Sequence, residues 1–517
     1  MNKVEGFIKK YWFIILIMLL CIIRFLFTYK LPSFYLTNLN YDDELTVNQL
    51  VSLIGGRYLG AYSQKTLIKG PVFPILLFLI KLYKFNYSSI FTMLYIIVSI
   101  YFIYSLKDIV KEKKYLILIL IILLFNPVTY SQDLFQRLYR NSLSIIESLF
   151  FIGSVIRVLF SKNKKIYDYI LLGLSLSLMF LTREDNIWTY PIIGFIIIYN
   201  FIKNKKIKVL VYNLIPIFIL VLSLNIVSFI NYKYYGIYSY NEIQKSEFHN
   251  TYNKILKIKD DKKINKVSIP KTTFYKLAEY SNAFDFTKEE IDDFYNDFAG
   301  SNGEIYNGNI VWYFRSMVYN KNKFKSGKES ENYYRKLGKE IDELFKSGKL
   351  EKEFTMPSTS LAVPSMEDIK KIPEQFLNAI GYTTTYKNIK TLTNTKKYKF
   401  DLIVDAYYFK YTNYHYTVDI VKHNKIQYEI IRLVYKWLTI IFSIISLFIY
   451  FKNIRKLDTI SIISHVLLVS YLLIIGGVVY THITSFHAIR PLYLGNIYII
   501  QNIFILLNMY RLKCKVK

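Results

Sequence analysis

Cysteine is nearly absent from the chain. Two cysteines occur in 517 residues, Cys21 in the first apolar block and Cys514 close to the end. Two cysteines are too few for a cysteine-ligated metal cluster or a disulfide framework. The long polar segment 231–430 has no cysteine. We expect this segment on the oxidising side of a membrane, so it must keep its fold there without disulfide bonds.

Acidic residues are also scarce, with 38 Asp and Glu against 67 Lys and Arg, and the formal net charge is +29. Such a charge is typical of nucleic-acid-binding proteins, but the distribution of the cations argues against that function. Lys and Arg cluster in the short loops between apolar blocks, as they do in membrane proteins, where they set the orientation of the helices. We therefore expect no nucleic-acid partner.

Apolar residues are abundant, since 53% of the chain is hydrophobic and 18% is aromatic. A bilayer core of about 30 Å requires roughly 20 helical residues, and ten blocks approach or reach that length. The first block lacks a small-residue cleavage site, so we expect an uncleaved anchor. The ten expected spans are 11–29, 88–106, 115–130, 142–160, 168–182, 187–202, 208–230, 431–450, 459–480 and 491–510, of which 115–130 and 168–182 are marginal in length.

Orientation depends on the apolar segment 71–84. Its 14 residues would form a helix of about 21 Å, too short for the bilayer core, so we expect it to lie in the membrane interface. Six stretches then share one side and carry 21 Lys and Arg, whereas the short loops opposite carry four arginines. The positive-inside rule therefore predicts that both termini are cytoplasmic. The six stretches are the N-terminus, 107–114, 161–166, 203–208, 451–456 and the C-terminal tail.

This topology divides the chain into three parts. Residues 1–230 are expected to form an N-terminal transmembrane catalytic module of seven spans, with an outer loop at 30–87. Residues 231–430 form an extracytoplasmic domain, and residues 431–517 form a C-terminal segment of three spans. The predicted fold class is an all-α polytopic membrane protein.

The extracytoplasmic segment is expected to be mainly helical, because 328–348 has an amphipathic pattern of helical period. Residues 397–420 alternate aromatic and polar side chains, a pattern compatible with a strand. Between them, Pro357, Pro364 and Pro373 predict a loop.

The polar clusters near the membrane lie at one depth, at the expected outer face. Acids beside cations at this depth suit transfer from a phosphate-linked lipid. A carboxylate can take a proton from an acceptor hydroxyl while Arg or Lys holds the departing phosphate. The clusters are Tyr41-Asp42-Asp43-Glu44 after the first span, Lys65 and Lys69-Gly70-Pro71 in the first loop, Arg137, Arg140 and Asn141 after the third span, Thr182-Arg183-Glu184-Asp185-Asn186 after the fifth, and His482, His487 and Arg490 after the ninth.

These clusters also have purely structural interpretations. The acids at 42–44 could cap a helix N-terminus, which is a common place for such residues. The pair Arg137 and Arg140 could reach lipid headgroups, as we expect for Arg24 inside the first span. The 183–185 cluster could form an internal salt bridge at a helix end. The shared depth of all the clusters favours the functional interpretation.

The order of these motifs resembles the C-type glycosyltransferases, the GT-C superfamily of integral-membrane enzymes that take sugars from polyprenyl-phosphate carriers. In that superfamily an acidic pair opens the first outer loop, as Asp42-Asp43 does here. A Lys-x-Pro-like element then precedes an interfacial helix, and Lys69-Gly70-Pro71 is similar. The succession of YDD, KGP, RxxR and TRED motifs is close to a largely uncharacterised bacterial group of such proteins. The resemblance covers residues 1 to about 230 well and the rest loosely, and it implies a GT-C-like bundle of about ten helices.

The resemblance also implies an inverting transfer in which a carboxylate acts as the general base. Asp42 is the first choice by position, and Asp43 is the second. From charge and depth, the candidates for binding the donor phosphate are Lys69, Arg137, Arg140, Arg183 and Arg490, and the candidates for binding the acceptor or supporting the site are Glu44, Glu184, Asp185 and His487. No residue is expected to bind a metal, because His482 and His487 have no third ligand nearby. The participation of a divalent cation, Mg²⁺ or Mn²⁺, is left open.

The leading hypothesis is a multi-pass glycosyltransferase of the bacterial plasma membrane that serves cell-envelope polysaccharide biosynthesis. It would move a sugar from a polyprenyl-phosphate-linked donor to a cell-surface polymer, glycolipid or protein, with membrane lipids around it. A lipid-linked polysaccharide polymerase or ligase would use similar chemistry. A transporter or flippase is disfavoured, because transporters carry charges near the midplane and often have repeats, and no repeat is visible here. A non-catalytic receptor or scaffold would not need outer-face acids close to cations.

Overall fold

The computed structural model describes residues 2–29, 31–35, 42–83, 85–261, 264–300, 302–353, 364–393 and 424–516. In these ranges the regular structure is helical, with two isolated β-bridges and no strand. The described part of the chain is therefore all-helical, as the sequence predicts. Tyr41 and the segment 397–420, for which a strand was considered, lie outside the described residues.

Each of the ten expected spans forms a helix in the described ranges. Seven of these helices are long and apolar enough to cross a membrane, so the prediction of a polytopic membrane protein is confirmed. They are α1 (Asn2–Thr28), α4 (Tyr87–Leu106), α6 (Asn141–Phe160), α9 (Ile207–Tyr235), α16 (Lys425–Lys452), α17 (Thr459–Thr484) and α18 (Pro491–Val516). The other three are shorter, namely α5 (Lys113–Leu124), α7 (Ile166–Thr182) and α8 (Tyr190–Asn204).

Helix α5 ends earlier than the sequence predicts. The α-helix stops at Leu124 instead of continuing to residue 130, and a 3-10 turn (Pro127–Tyr130) and a π turn (Gln132–Gln136) follow it. Irregular backbone at membrane depth requires partners from the protein, because lipid offers none. Hydroxyl groups supply them: Tyr435 donates to the carbonyl of Ile122 at 2.8 Å, Tyr95 to that of Leu123 at 2.9 Å, and Tyr130 to that of Phe125 at 3.2 Å.

Arg24 belongs to the same arrangement. Its side chain is wholly buried, so the expectation that it extends to the membrane surface is wrong. Its guanidinium donates to the carbonyl and the hydroxyl of Thr129 at 2.9 and 3.1 Å and lies 5.2 Å from the centre of the Tyr130 ring. Arg24 therefore holds the 3-10 turn that follows α5.

Two short helices lie in the first outer loop, α2 (Asp43–Ile54) and α3 (Val72–Leu82). The 11 residues of α3 span about 16 Å, which is too short to cross a bilayer core. Its buried side, with Phe73, Leu77 and Ile80, joins the core of the membrane helices. This agrees with the interfacial helix that the sequence predicts in 71–84.

A separate core is built by the helices that follow α9. Phe248, Phe274, Phe314 and Leu337 are among its buried members, and Ile68 from the first outer loop also belongs to it. The amphipathic pattern at 328–348 corresponds to the last and longest of these helices. The helices are α10 (Glu247–Ile255), α11 (Lys271–Tyr280), α12 (Lys288–Phe298), α13 (Ile310–Asn320) and α14 (Gly327–Lys346), and we call them the outer domain.

Helix α15 (Met366–Thr384) packs against α17 and α18 instead of the outer domain. Pro373 lies inside this helix, so the predicted loop is wrong at that position. Thr384 accepts a hydrogen bond at 3.2 Å from Gln501. Gln501 lies ten residues after Pro491, the first residue of α18, which is about 15 Å along the helix. Residues 364–393 therefore dip into the helix bundle and return. The proposed boundary at residue 430 stays a prediction.

The loops that the sequence assigns to one side do meet at one end of the bundle. Tyr115, at the start of α5, donates to the carbonyl of Leu506 at 2.7 Å, and Arg157 pairs with Asp168 at 2.9 Å. The loops assigned to the other side meet at the opposite end, beside the outer domain. Which end faces the cytoplasm stays a prediction, and we call the end beside the outer domain the outer end.

Candidate functional site

Four separate segments bring charged side chains together at the outer end. They are the start of α2, the loop before α3, the turn before α6, and the residues that follow α7. Asp42, Lys69, Arg140 and Glu184, one from each segment, are in mutual contact. We call these four residues the ion cluster.

The ion cluster alternates two acids with two cations. Lys69 Nζ lies 3.2 Å from Asp42 Oδ2 and 3.2 Å from Glu184 Oε1. Arg140 donates to both oxygens of Glu184, at 2.6 and 3.2 Å, and its Nη2 lies 3.7 Å from Asp42 Oδ2. Each cation therefore contacts both carboxylates. If one carboxylate gives up its contacts, each cation still has the other carboxylate as a counter-charge.

Both carboxylates of the ion cluster are ionised at neutral pH. Burial raises the pKa of Asp42, but Lys69 and Arg140 lower it by more, so it lies below the usual value. The same balance of burial against Arg140 and Lys69 puts the pKa of Glu184 far below its usual range. A carboxylate can accept a proton only in this ionised form.

The two acids of the Asp42-Asp43 pair have different surroundings. Asp43 is fully buried and accepts two hydrogen bonds from Arg137, at 2.7 Å from Nε and 2.6 Å from Nη2. The Asp42 side chain keeps 29% of its surface exposed and accepts a hydrogen bond from the Tyr139 hydroxyl at 3.3 Å. A substrate can therefore reach Asp42, whereas Asp43 is buried against Arg137.

Gly70 explains how Lys69 reaches the cluster. A β-carbon at Gly70 would overlap the carbonyl oxygen of Leu181 and lie 2.5 Å from its carbonyl carbon, so only glycine fits against the last turn of α7. Pro71 then sits at the start of α3, where a missing N–H costs nothing. This close approach places Lys69 beside Glu184, three residues after Leu181.

Arg183 lies beside the ion cluster, but its side chain bonds to Asp185 and Asn141. Its Nε donates to Asp185 Oδ1 at 2.9 Å, and its Nη1 donates to the side-chain oxygen of Asn141. Burial lowers the pKa of Arg183, but Asp185 raises it by more, so the guanidinium stays charged. Asp185 is 58% exposed. The geometry therefore resembles the local salt bridge considered for this cluster.

Three other candidates lie at the edge of this region. Glu44 is in the first turn of α2, and burial followed by its negative charge raises the pKa of Tyr35. Arg490 donates to the Tyr493 hydroxyl at 3.4 Å and lies over that ring. The His487 ring centre is 4.7 Å from that of His482. These contacts are with Tyr35, Tyr493 and His482, which are not members of the ion cluster.

Sequence reasoning missed two residues that border the cluster. Trp312, in α13 of the outer domain, has its ring centre 4.9 Å from Lys69 Nζ. Glu147, buried in α6, accepts a hydrogen bond from the Thr182 hydroxyl at 2.6 Å, and the carbonyl of Thr182 accepts one from Arg140 at 3.3 Å. A single tryptophan in a polar segment and a single acid in an apolar helix carry no local signal of their place in the fold.

The acidic side chains of the ion cluster are engaged with cations of the protein. Across the described ranges, no three His, Cys, Asp or Glu side chains come together as metal ligands. The carboxylates of the ion cluster already accept from Lys69 and Arg140. The arrangement suits instead the binding of an anion between two cations, with an exposed carboxylate beside it.

Comparison with known proteins gives little further information. No known protein family matches the chain, and no curated protein matches it. One solved structure, the Archaeoglobus fulgidus oligosaccharyltransferase tethered to an acceptor peptide with the NVT sequon, aligns with a TM-score of 0.38 and 8% identity. The alignment covers 99% of this chain and 51% of the other, so the chain spans about half the length of that protein. A likeness of this degree carries no inference about function.

Proposed function

We propose that this protein is a membrane glycosyltransferase of the GT-C type, which moves a sugar from a polyprenyl-phosphate-linked donor to an acceptor hydroxyl. The observation that carries the proposal is the ion cluster. Four segments that are far apart in sequence contribute two cations and two ionised carboxylates at one end of a membrane bundle. Cations at that depth need counter-charges or a phosphate ligand.

The chemistry follows from the charges. Lys69 and Arg140 hold the donor's phosphate, and Asp42 takes the proton from the acceptor hydroxyl as its oxygen attacks the anomeric carbon. The bond between that carbon and the phosphate oxygen breaks, and the electron pair leaves with polyprenyl phosphate, whose growing negative charge the two cations stabilise. Attack from the face opposite the phosphate inverts the configuration of the sugar.

Donor binding would also adjust the strength of the base. In the absence of donor, Lys69 and Arg140 depress the pKa of Asp42. A phosphate bound between those cations neutralises them and adds a negative charge, and both effects raise the pKa of a nearby carboxylate. Asp42 therefore becomes a better proton acceptor when the donor is in place.

Glu184 has a related role in this proposal. Its two oxygens occupy the positions on Arg140 and Lys69 that phosphate oxygens would take. The carboxylate then serves as the counter-charge of the empty site and yields those contacts to the donor. Glu184→Gln is expected to strengthen the binding of polyprenyl phosphate, because the neutral amide competes less well for the two cations.

The orientation completes the proposal. We infer a plasma-membrane protein with both termini in the cytoplasm and the outer domain outside, from the 21 Lys and Arg on one side and four on the other. Cysteine labelling should place Lys113, Lys164 and Lys205 inside and Arg140 outside. Labelling of 107–114 from outside would reverse the scheme.

The decisive assay uses purified protein in lipid nanodiscs with a panel of polyprenyl-phosphate sugars. The expected result is loss of one lipid-linked sugar and release of polyprenyl phosphate when an acceptor glycan, glycolipid or peptide is supplied. The anomeric configuration of the product, determined by NMR, should be inverted. Acceptance of only a growing polysaccharide chain would point to the polymerase or ligase alternative. If no lipid-linked sugar is consumed and none is bound, the proposal is wrong.

One observation supports a second candidate, a lipid flippase. Helix α5 breaks off after 12 residues, and residues 364–393 dip into the bundle, and interrupted helices of this kind are common in transporters. A flippase would move a fluorescent polyprenyl-phosphate analogue across proteoliposome membranes without cleaving it. Movement without sugar transfer would favour this candidate over the transferase.

A further inference from the structure

Trp312 is the aromatic residue that the outer domain brings to the ion cluster. Its ring centre lies 4.9 Å from Lys69 Nζ, and the same ammonium contacts Asp42 and Glu184 at 3.2 Å. The side chain is half-buried. A large, partly accessible ring at the edge of a charged site is suited to hold a ligand.

The position of Trp312 is fixed by several links between the outer domain and the membrane helices. In α13, Arg315 is fully buried, pairs with Glu242 at 2.6 Å and donates to the carbonyl of Gln64 in the first outer loop at 2.8 Å. Just before α13, the carbonyl of Asn307 accepts a hydrogen bond from Ser485 at 2.7 Å. The helix that carries Trp312 is therefore held between two loops of the outer end.

A further link joins the outer domain to the ion cluster itself. Gln244, three residues before α10, donates from Nε2 to the carbonyl of Glu184 at 3.1 Å. The backbone of the cluster is thus tied to the same domain that supplies the tryptophan. Trp312 and the two cations are therefore already linked by hydrogen bonds and ion pairs before a ligand binds.

We propose that the Trp312 indole binds the sugar ring of the lipid-linked donor, and this inference rests on the proposed function. If Lys69 holds the donor's phosphate, the anomeric carbon is two bonds from the phosphorus and the sugar ring begins beside that ammonium. Trp312 is the aromatic group next to it. The indole covers the carbon–hydrogen face of a pyranose and donates its N–H to a sugar hydroxyl, which are the two contacts an amphipathic aromatic residue can offer.

The alternative for Trp312 is a purely electrostatic role. A cation–π contact with Lys69 would stabilise the ammonium whether or not a sugar is present. The two roles differ in one measurable respect. A sugar-binding indole contributes to the affinity for a polyprenyl-phosphate hexose but not to the affinity for polyprenyl phosphate alone, whereas a partner of Lys69 contributes equally to both.

The test compares the binding of these two lipids to protein in nanodiscs. Trp312→Leu removes the ring but fills part of its volume, and Trp312→Phe keeps a ring without the N–H. Trp437→Leu, on the exposed side of α16, controls for the loss of a tryptophan from the protein. Thermal unfolding of each variant establishes that it is folded.

In the wild-type protein the hexose lipid should bind more tightly than polyprenyl phosphate. Trp312→Leu should weaken binding of the hexose lipid about tenfold and leave polyprenyl phosphate unchanged, Trp312→Phe should recover part of the loss, and Trp437→Leu should match the wild type. Equal weakening of both lipids, or no change in either, overturns the inference. If the wild type binds both lipids equally, the sugar contact is wrong while the phosphate site stands. If it binds neither, the proposed function itself is wrong.

Discussion

The two ends of the helix bundle use charge in different ways. At the end opposite the outer domain, which we call the inner end, Arg157 in α6 pairs with Asp168 in α7 at 2.9 Å. Both residues are buried. The second oxygen of Asp168 accepts from the backbone N–H of Lys165 and caps α7. At the outer end, Lys69 and Arg140 each contact two carboxylates, both of which are partly exposed. The Arg157–Asp168 pair is buried. In the ion cluster, each cation is shared by two carboxylates that solvent can reach.

This difference separates stabilising charges from charges that can bind a ligand. A one-to-one buried pair between neighbouring helices has no capacity left for a third group, and breaking it leaves an uncompensated charge. A cluster in which each cation has two acidic neighbours can exchange one carboxylate for a phosphate at lower cost. The Asp43–Arg137 pair is likewise buried, although it lies at the outer end.

The largest effect is expected for Asp42→Asn. The amide keeps the size of the side chain but cannot take the proton, so the rate of transfer should fall about 10²–10⁴-fold while donor binding remains measurable. Initial rates with a verified donor test this prediction.

Asp43→Asn is the matched control one residue away. Because it breaks a buried pair, it should lower the free energy of unfolding by about 3–5 kcal/mol. Its effect on the rate per folded molecule should be much smaller than that of Asp42→Asn. If both variants turn over at the wild-type rate, neither carboxylate is the base.

Gly70→Ala should have the next largest effect on the rate of transfer. A β-carbon at this position overlaps the backbone of Leu181, so the loop must move and Lys69 must leave its place beside Glu184. A displacement of about 1 Å at a reacting site can reduce the rate about 10²-fold. Gly194→Ala in α8 is the control, because its β-carbon meets nothing within 4 Å. A Gly70→Ala enzyme with unchanged kinetics would show that Lys69 is not held by this contact.

Arg157→Met tests the inner end. Loss of the buried pair should reduce the free energy of unfolding by about 3–5 kcal/mol, because Asp168 is left without its cation. The transfer rate per folded molecule should stay at the wild-type value. Denaturant unfolding in detergent and initial rates provide the two measurements. A loss of transfer as large as that expected for Gly70→Ala would remove the distinction between the two ends.

The smallest expected effect is a shift in the pH profile. Because the pKa of Asp42 lies below its usual value, kcat/KM should be maintained as the pH falls through the range in which an ordinary aspartate is protonated, and should decline only below that range. A carboxyl group is charged at pH values above its pKa and loses its charge as the pH falls through its pKa. Lys69→Ala removes one cause of the lowering, so the acid limb should move to higher pH. An acid limb that does not move would mean that another group controls it.

Much of the candidate site could be predicted from the sequence, because its motifs are local. Asp42, Lys69, Arg140 and Glu184 each lie next to the end of an apolar block, and the positive-inside count puts those ends on one side. The different surroundings of Asp42 and Asp43 could not be predicted, since adjacent residues have the same depth and only the fold decides which one meets Arg137.

The early end of α5 was not predictable for a related physical reason. The apolar run continues beyond Leu124, and the helix can stop there because tyrosines from other helices satisfy its last carbonyls. The place of α15 in the bundle likewise depends on partners in α17 and α18. Trp312 reaches the site only through the docking of the outer domain.

The most direct test of the account measures the binding of polyprenyl phosphate to the wild type, Arg140→Gln and Lys513→Gln in nanodiscs. Lys513 lies at the inner end, where it pairs with Glu112, and it provides a matched loss of one positive charge. The account predicts that Arg140→Gln weakens binding at least tenfold, because it removes a charge-assisted contact worth about 1.5–3 kcal/mol, and that Lys513→Gln binds like the wild type. Equal binding by all three proteins would contradict the claim that the ion cluster is the phosphate site.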